Sequence, residues 1–106
     1  MILCTCPDEA VAERIATTLV EERLAACVNR VPGIVSTYRW NGKICNDREV
    51  LLLIKTMIGR FDSVRECIVA LHPYDVPEVV ALTVSDGLAA YVDWIESSVR
   101  VDERGS

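Results

Sequence analysis

Few side chains in this sequence could do chemistry. It has five cysteines, Cys4, Cys6, Cys27, Cys45 and Cys67, and one histidine, His72. Thiolates and imidazole are soft ligands that suit copper or zinc. Cys4 and Cys6 are two residues apart, so on a strand they share a face and can form one soft cluster. The plainer reading treats them as packing. Cys4 lies in an apolar strand and Cys67 on an apolar helix face, where a free cysteine behaves as a small buried hydrophobe. His72 stands before Pro73 at a helix end, where an imidazolium suits the helix dipole and a capping role is equally available. The cysteine number is odd and no pair has CxxC spacing. A disulfide framework is therefore not expected.

Conventional catalysis finds little support. Cys67 and His72 could serve as nucleophile and base, but five residues on one helix leave them about 140° apart. There is no Gly-rich phosphate loop, GxSxG or HExxH. We expect a protein that binds rather than an enzyme.

The elements that must position these residues follow from the patterning. Ile2–Cys6 is a short apolar strand ended by Pro7. Asp8 is a good N-cap and Glu9 an acidic first-turn residue. Val11, Ile15 and Leu19 then recur at helical spacing, for a helix ending near Leu24. Ala26 to Trp40 reads as a long strand bent at Pro32-Gly33. Asn41-Gly42 signals a two-residue hairpin turn, and Lys43 to Thr56 returns as its partner. Phe61, Val64, Ile68 and Leu71 give a second helix closed by Pro73. The loop from His72 to Glu78, with its two prolines, is ordered but irregular. Val79 to Val84 is a near-continuous apolar strand, and Leu88 to Val99 a last helix. Residues 100–106 are polar and are expected to fray. The order β-α-β-β-α-β-α is the split βαβ, or ferredoxin-like, plan. It makes one α+β domain over residues 1–106, an antiparallel sheet with a long hairpin and an extra C-terminal helix.

Composition bounds the partners. The net charge is −5, and eleven Lys and Arg are scattered without a run. Phosphate neutralisation needs a basic face, so nucleic acid and anionic membranes are poor partners. No basic n-region precedes the first strand, and no apolar stretch nears the 18 or so residues of a membrane span. A reducing, cytoplasmic setting is the simplest expectation.

The hydrophobic fraction is 51% and the aromatic fraction 6%, so the core must be aliphatic. Two helices cover only one face of the sheet, yet Val50 to Ile54 and Val79 to Ala81 are apolar at every position. A half-exposed antiparallel sheet alternates instead. The third helix can cover part of the open face, and a neighbouring subunit is the natural cover for the rest. Length agrees. A thirteen-residue strand from Val28 to Trp40 runs about 44 Å. A globule of this size is only about 34 Å across. The hairpin should project and expose edges that another copy can pair. The alternative is that Pro32-Gly33 splits the strand and folds the hairpin back on its own domain.

Several motifs now carry a resemblance. They are CTCPDEA from Cys4, LAACVN from Leu24, Val31-Pro32-Gly33, STYRWNGK from Ser36, Ile54-Lys55-Thr56, HPYDVPE from His72, and Tyr91 to Trp94. In this order the sequence resembles the CutA family of divalent-cation tolerance proteins. The resemblance implies a ferredoxin-like fold and a tight homotrimer with the hairpin strands packed about a threefold axis. It implies a part in tolerance to divalent metals, copper above all, with no established reaction. Copper contacts in some members fall at Cys4, Cys67 and His72. A second His that can precede the HPY motif is Leu71 here. The resemblance also places Trp40, Glu49, Lys55, Tyr74 and Glu78 near a pocket between subunits, where a lysine, carboxylates and an aromatic wall could hold a small anion or a metal complex. The plainer reading is an interfacial ion pair of Lys55 with packing by Tyr74 and Trp40. Trp94 is read as packing.

Two other classes compete with a trimeric metal-response protein. P-II signalling proteins share the fold and trimer but carry a long loop where Asn41-Gly42 makes a tight turn here. A scaffolding trimer without metal function would need none of the thiols.

Overall fold

The structure is a computed structural model and describes residues 1–99; the expected frayed tail, 100–106, lies outside them. The elements are β1 (Ile2–Cys6), α1 (Glu9–Glu21), β2 (Cys27–Trp40), β3 (Lys43–Lys55), a 3-10 turn (Ile58–Arg60), α2 (Phe61–Leu71), β4 (Val80–Ala81) and α3 (Ala89–Ser98). The strands form one antiparallel sheet in the order β2-β3-β1-β4. This is the expected ferredoxin-like plan.

The core is aliphatic, as the composition requires. Ile2, Cys4 and Cys6 of β1 and Val50, Leu52 and Ile54 of β3 alternate toward the helices. Ala12, Ile15 and Leu19 of α1 meet them at helical spacing, with Val64 and Ile68 of α2. The other face of β3, Leu51 and Leu53, is only half-buried. The third helix was expected to cover part of this open face, and its own surface stays largely open. No residue of α3 is buried, and Tyr91, Val92 and Trp94 remain exposed.

Local chemistry explains the boundaries. Asp8 is extended and its Oδ1 accepts the Val11 N–H at 2.9 Å, which starts α1. That helix ends at Glu21, three residues short of the expected Leu24. Arg23 takes a left-handed conformation, φ 58°. The Leu24 N–H then reaches Leu19 O at 2.9 Å and the Arg23 N–H reaches Val20 O at 3.1 Å. This double closure satisfies the last carbonyls of the helix. The Arg23 guanidinium donates to Ser98 O and Ser97 O, at 3.3 and 3.4 Å, so the ends of α1 and α3 are joined.

The hairpin is paired throughout, from Cys27↔Lys55 to Trp40↔Lys43. Its one irregularity falls between Val31 and Ile34, where Pro32 and Gly33 stand opposite Val50. This is the expected bulge, with Gly33 at φ 77°. Asn41 and Gly42 have φ of 50° and 77°, as a two-residue turn of the primed type requires. The arm is not folded back, and the chain measures 48 × 29 × 22 Å.

The last strand is a correction. Val79 to Val84 was expected to be a strand, but β4 is only Val80–Ala81. Among the described residues its partner is β1, through Leu3↔Val80 and Ile2↔Ala81, with two more bonds, from the Leu82 N–H to Met1 O at 2.7 Å and from the Met1 amino group to Leu82 O at 3.2 Å. The ladder stops where β1 stops. Val80, Leu82 and Val84 are left exposed along an unpaired edge.

Candidate functional site

The soft donors converge at one end of the sheet. Cys4 and Cys6 are fully buried on the helix-covered face of β1. Their Sγ atoms and a ring nitrogen of His72 all lie within 4.8 Å of one another. His72 is where α2 stops. Its N–H closes the helix on Ile68 O at 2.8 Å, and its own backbone is extended, as the following proline demands. That geometry turns the ring back toward β1. Nε2 lies 2.7 Å from Thr5 O, and Nδ1 accepts the Tyr74 backbone N–H at 3.1 Å. The ring is therefore neutral, with its proton on Nε2.

The two thiols influence each other. The hydrogen bond with Cys6 is the largest factor holding the Cys4 pKa up, followed by burial. The same bond lowers that of Cys6. Cys4 keeps its proton, and of the two thiols Cys6 is the more readily deprotonated. Glu78 and Glu49 also lie within electrostatic reach of Cys4 and reinforce its protonated state.

The predicted ligand set is thus regrouped. Cys4 and His72 come together, and their third partner is Cys6 rather than Cys67. Cys67 sits on α2 against the apolar core. Burial raises its pKa, with a smaller push from Glu22 at the end of α1. The period-two spacing of Cys4 and Cys6 was the signal for this cluster. Two thiols and an imidazole in an apolar, buried setting fit a soft metal ion.

The predicted cleft residues fall into three places in one chain. Glu49 is only 8% exposed and accepts the Tyr74 hydroxyl at 3.0 Å on Oε2. The Tyr74 phenol is pushed up to about 12, first by burial and then by this bond. Its ring leans on His72, centroids 4.7 Å apart. Glu78 is exposed at the end of the same loop. Lys55 is at the far end of β3, with Nζ 2.7 Å from Asn29 Oδ1 and not on a carboxylate. Trp40 is 66% exposed at the hairpin tip. Its partner Lys43 is six residues from Glu49, about 20 Å along the strand. A single chain brings Glu49 and Tyr74 together, and leaves Lys55 and Trp40 apart.

Two features escaped the sequence reading. Tyr38 donates to Asp47 across the hairpin, which pushes its phenol up to about 12. An apolar groove of about 850 Å³ runs between the β4 edge and α3, lined by Lys55, Ile58, Leu82, Val84, Tyr91 and Val92 among others. Its walls come from segments far apart in sequence.

A four-stranded antiparallel sheet with a projecting hairpin and a buried soft-donor cluster defines a small ferredoxin-like protein with a candidate soft-metal site. Comparison with known proteins makes the assignment specific. The family described as CutA1 divalent ion tolerance protein matches residues 1–98, and the chain belongs to it. The divalent-cation tolerance protein CutA of Thermus thermophilus is 52% identical over 98 residues, covering 92% of this chain and 95% of that protein. Protein CutA of Mus musculus is 50% identical over 91 residues, 86% of this chain and 51% of its own length. The crystal structure of CutA1 from Oryza sativa superposes with a TM-score of 0.93 at 44% identity, covering 95% of this chain and 93% of the other. The resemblance drawn from the motifs is borne out, and with it the fold.

Proposed function

We propose that the protein acts in divalent-cation tolerance as a homotrimer that captures a soft metal ion, copper foremost, by binding and without turnover. The observation that carries this is the convergence of Cys4, Cys6 and His72 within 4.8 Å in a buried apolar setting. Five free thiols are compatible with the reducing, cytoplasmic compartment we assign. When bound, the metal would supply charge for two thiolates that the core otherwise disfavours. Cys67 is not assigned a ligand role.

The trimer rests on uncovered apolar surface. Val35, Tyr38, Trp40 and Ile44 on the arm, Val80, Leu82 and Val84 on the β4 edge, and Leu88, Tyr91 and Trp94 around α3 are all exposed in one chain. Val35 and Ile44 share one face of the arm and Tyr38 and Trp40 the other, so both faces offer apolar surface that a neighbouring copy would cover. The outer edges of β2 and β4 are unpaired, and a closed ring satisfies each once. In that ring the arm of one copy would fill the groove of the next. Trp40 and Lys55 would then join Glu49, Tyr74 and Glu78 in clefts between chains. The tight Asn41-Gly42 turn weighs against a P-II-like sensor.

Native mass spectrometry with and without Cu(I) or Cu(II) tests both parts. We expect the mass of three chains and one copper per chain, with copper lost in Cys4→Ser/Cys6→Ser. A monomer at micromolar concentration, or copper retained by that variant, would overturn the proposal.

A further inference from the structure

His72 has no idle nitrogen. Nδ1 accepts the Tyr74 N–H at 3.1 Å, and Nε2 is 2.7 Å from Thr5 O. A neutral imidazole has one proton and one lone pair. Here the lone pair is spent on Tyr74 and the proton on Thr5. A ligating nitrogen must offer a bare lone pair. If Nε2 takes that role, its proton relocates to Nδ1. Nδ1–H then faces the Tyr74 N–H, donor against donor. If Nδ1 takes it, the Tyr74 N–H is displaced outright. Both routes evict the same backbone group.

The eviction has somewhere to go. Residues 73–78 contain no helix or strand, and the hydrogen bonds described for them are the two made by Tyr74. One is the N–H on His72. The other is the hydroxyl on the buried Glu49 carboxylate, 3.0 Å away. The rings of His72 and Tyr74 are in contact as well, so a turning imidazole presses on the phenol. The loop is thus pinned through the histidine that would serve as ligand.

We propose that capture of a soft cation by Cys4, Cys6 and His72 unseats Tyr74 and breaks its bond to Glu49, so that the buried thiol site operates the 73–78 loop. This rests on the metal-capture reading above and adds its regulation. The thiol protons leave to solvent, and the histidine proton changes nitrogen or is exchanged. By linkage, anything that holds Tyr74 on Glu49 opposes capture, and whatever frees it favours capture to the same degree. The loop carries Glu78, so filling the core would change the carboxylates offered at the surface.

Silver(I) is a diamagnetic soft probe suited to the test. In the full-length protein, ¹⁵N NMR of the His72 ring should show an Nε2–H tautomer before addition. With one equivalent of Ag(I) per chain we expect that pattern lost. Protection of the Tyr74 amide from exchange should fall at least about tenfold, and the Glu49 carboxyl ¹³C resonance should move. Tyr74→Phe should bind Ag(I) about tenfold more tightly, because the bond to a buried carboxylate no longer has to be broken. If Cys4 and Cys6 do not take up Ag(I), the metal reading fails and the switch with it. If they do while the Tyr74 amide, Glu49 and the Tyr74→Phe affinity stay unchanged, capture stands and the switch is wrong.

Discussion

The Tyr74–Glu49 bond joins the loop after α2 to β3, and its contribution can be measured in isolation. The perturbation is a double-mutant cycle of Tyr74→Phe and Glu49→Ala. Hydrogen bonds to charged groups contribute about 1.5–3 kcal/mol net. Burial of Glu49, 8% exposed, argues for the upper part of that range. The Tyr74 side is 41% exposed, and solvent competition there argues for the lower part. We therefore expect a coupling of about 1.5 kcal/mol. Each single variant should cost more than this, because Tyr74→Phe strands a buried carboxylate and Glu49→Ala leaves a gap. The assay is urea or guanidinium denaturation of all four proteins at one fixed protomer concentration, since an oligomer's stability depends on dilution. A coupling below about 0.5 kcal/mol, the scatter of residues that do not touch, would show that the bond does not tie the loop down.

Three further outcomes follow from the same structure. Leu52 is fully buried in the centre of β3, and Leu52→Ala should cost about 2–5 kcal/mol, seen as a lower denaturant midpoint at unchanged slope. Asp8→Ala removes the acceptor for the Val11 N–H and should cost about 1 kcal/mol, whereas Asp8→Asn should restore most of it by the same measurement. The phenols of Tyr38 and Tyr74 are both raised to about 12. The folded chain therefore holds protons that the unfolded chain has released above about 10. Stability from these groups is fully present below that value and declines as the pH climbs to about 12. Tyr38→Phe/Tyr74→Phe should flatten this alkaline decline in denaturation curves taken across the window.

Much of the fold was legible because it is written in short-range chemistry. Asp8, Pro32-Gly33, Asn41-Gly42 and Pro73 each mark a place where the backbone does what that residue type favours. The misses have a common cause, which is that tertiary partners override local pattern. The segment Val79 to Val84 has strand-forming residues throughout, but β1 pairs with only its first part. Arg23 is no usual helix stop, and its left-handed turn makes sense only with the α3 carbonyls in view. At the site, residue types and the spacing of Cys4 and Cys6 were enough to suggest a soft cluster. That His72 would join these two thiols, with Cys67 left outside, depends on the direction of the ring after α2 ends, which no spacing rule supplies. The separation of Trp40 and Lys55 from Glu49 likewise follows from the length of the hairpin, not from the motifs that contain them.

The bulge at Pro32-Gly33 sits where the arm leaves the body, and this makes it a lever's pivot. Seven residues of β2, Ile34 to Trp40, lie beyond it, a reach of about 24 Å. A change of about 10° in the bend would carry the Trp40 ring sideways by about 4 Å, roughly the width of an aromatic side chain. The aim of the outer arm thus depends on the Pro32-Gly33 bulge in β2 and on the flexing of β3, which runs unbroken past it. A swing of that size would change which surface the exposed Trp40 ring can reach while leaving the core of the body untouched.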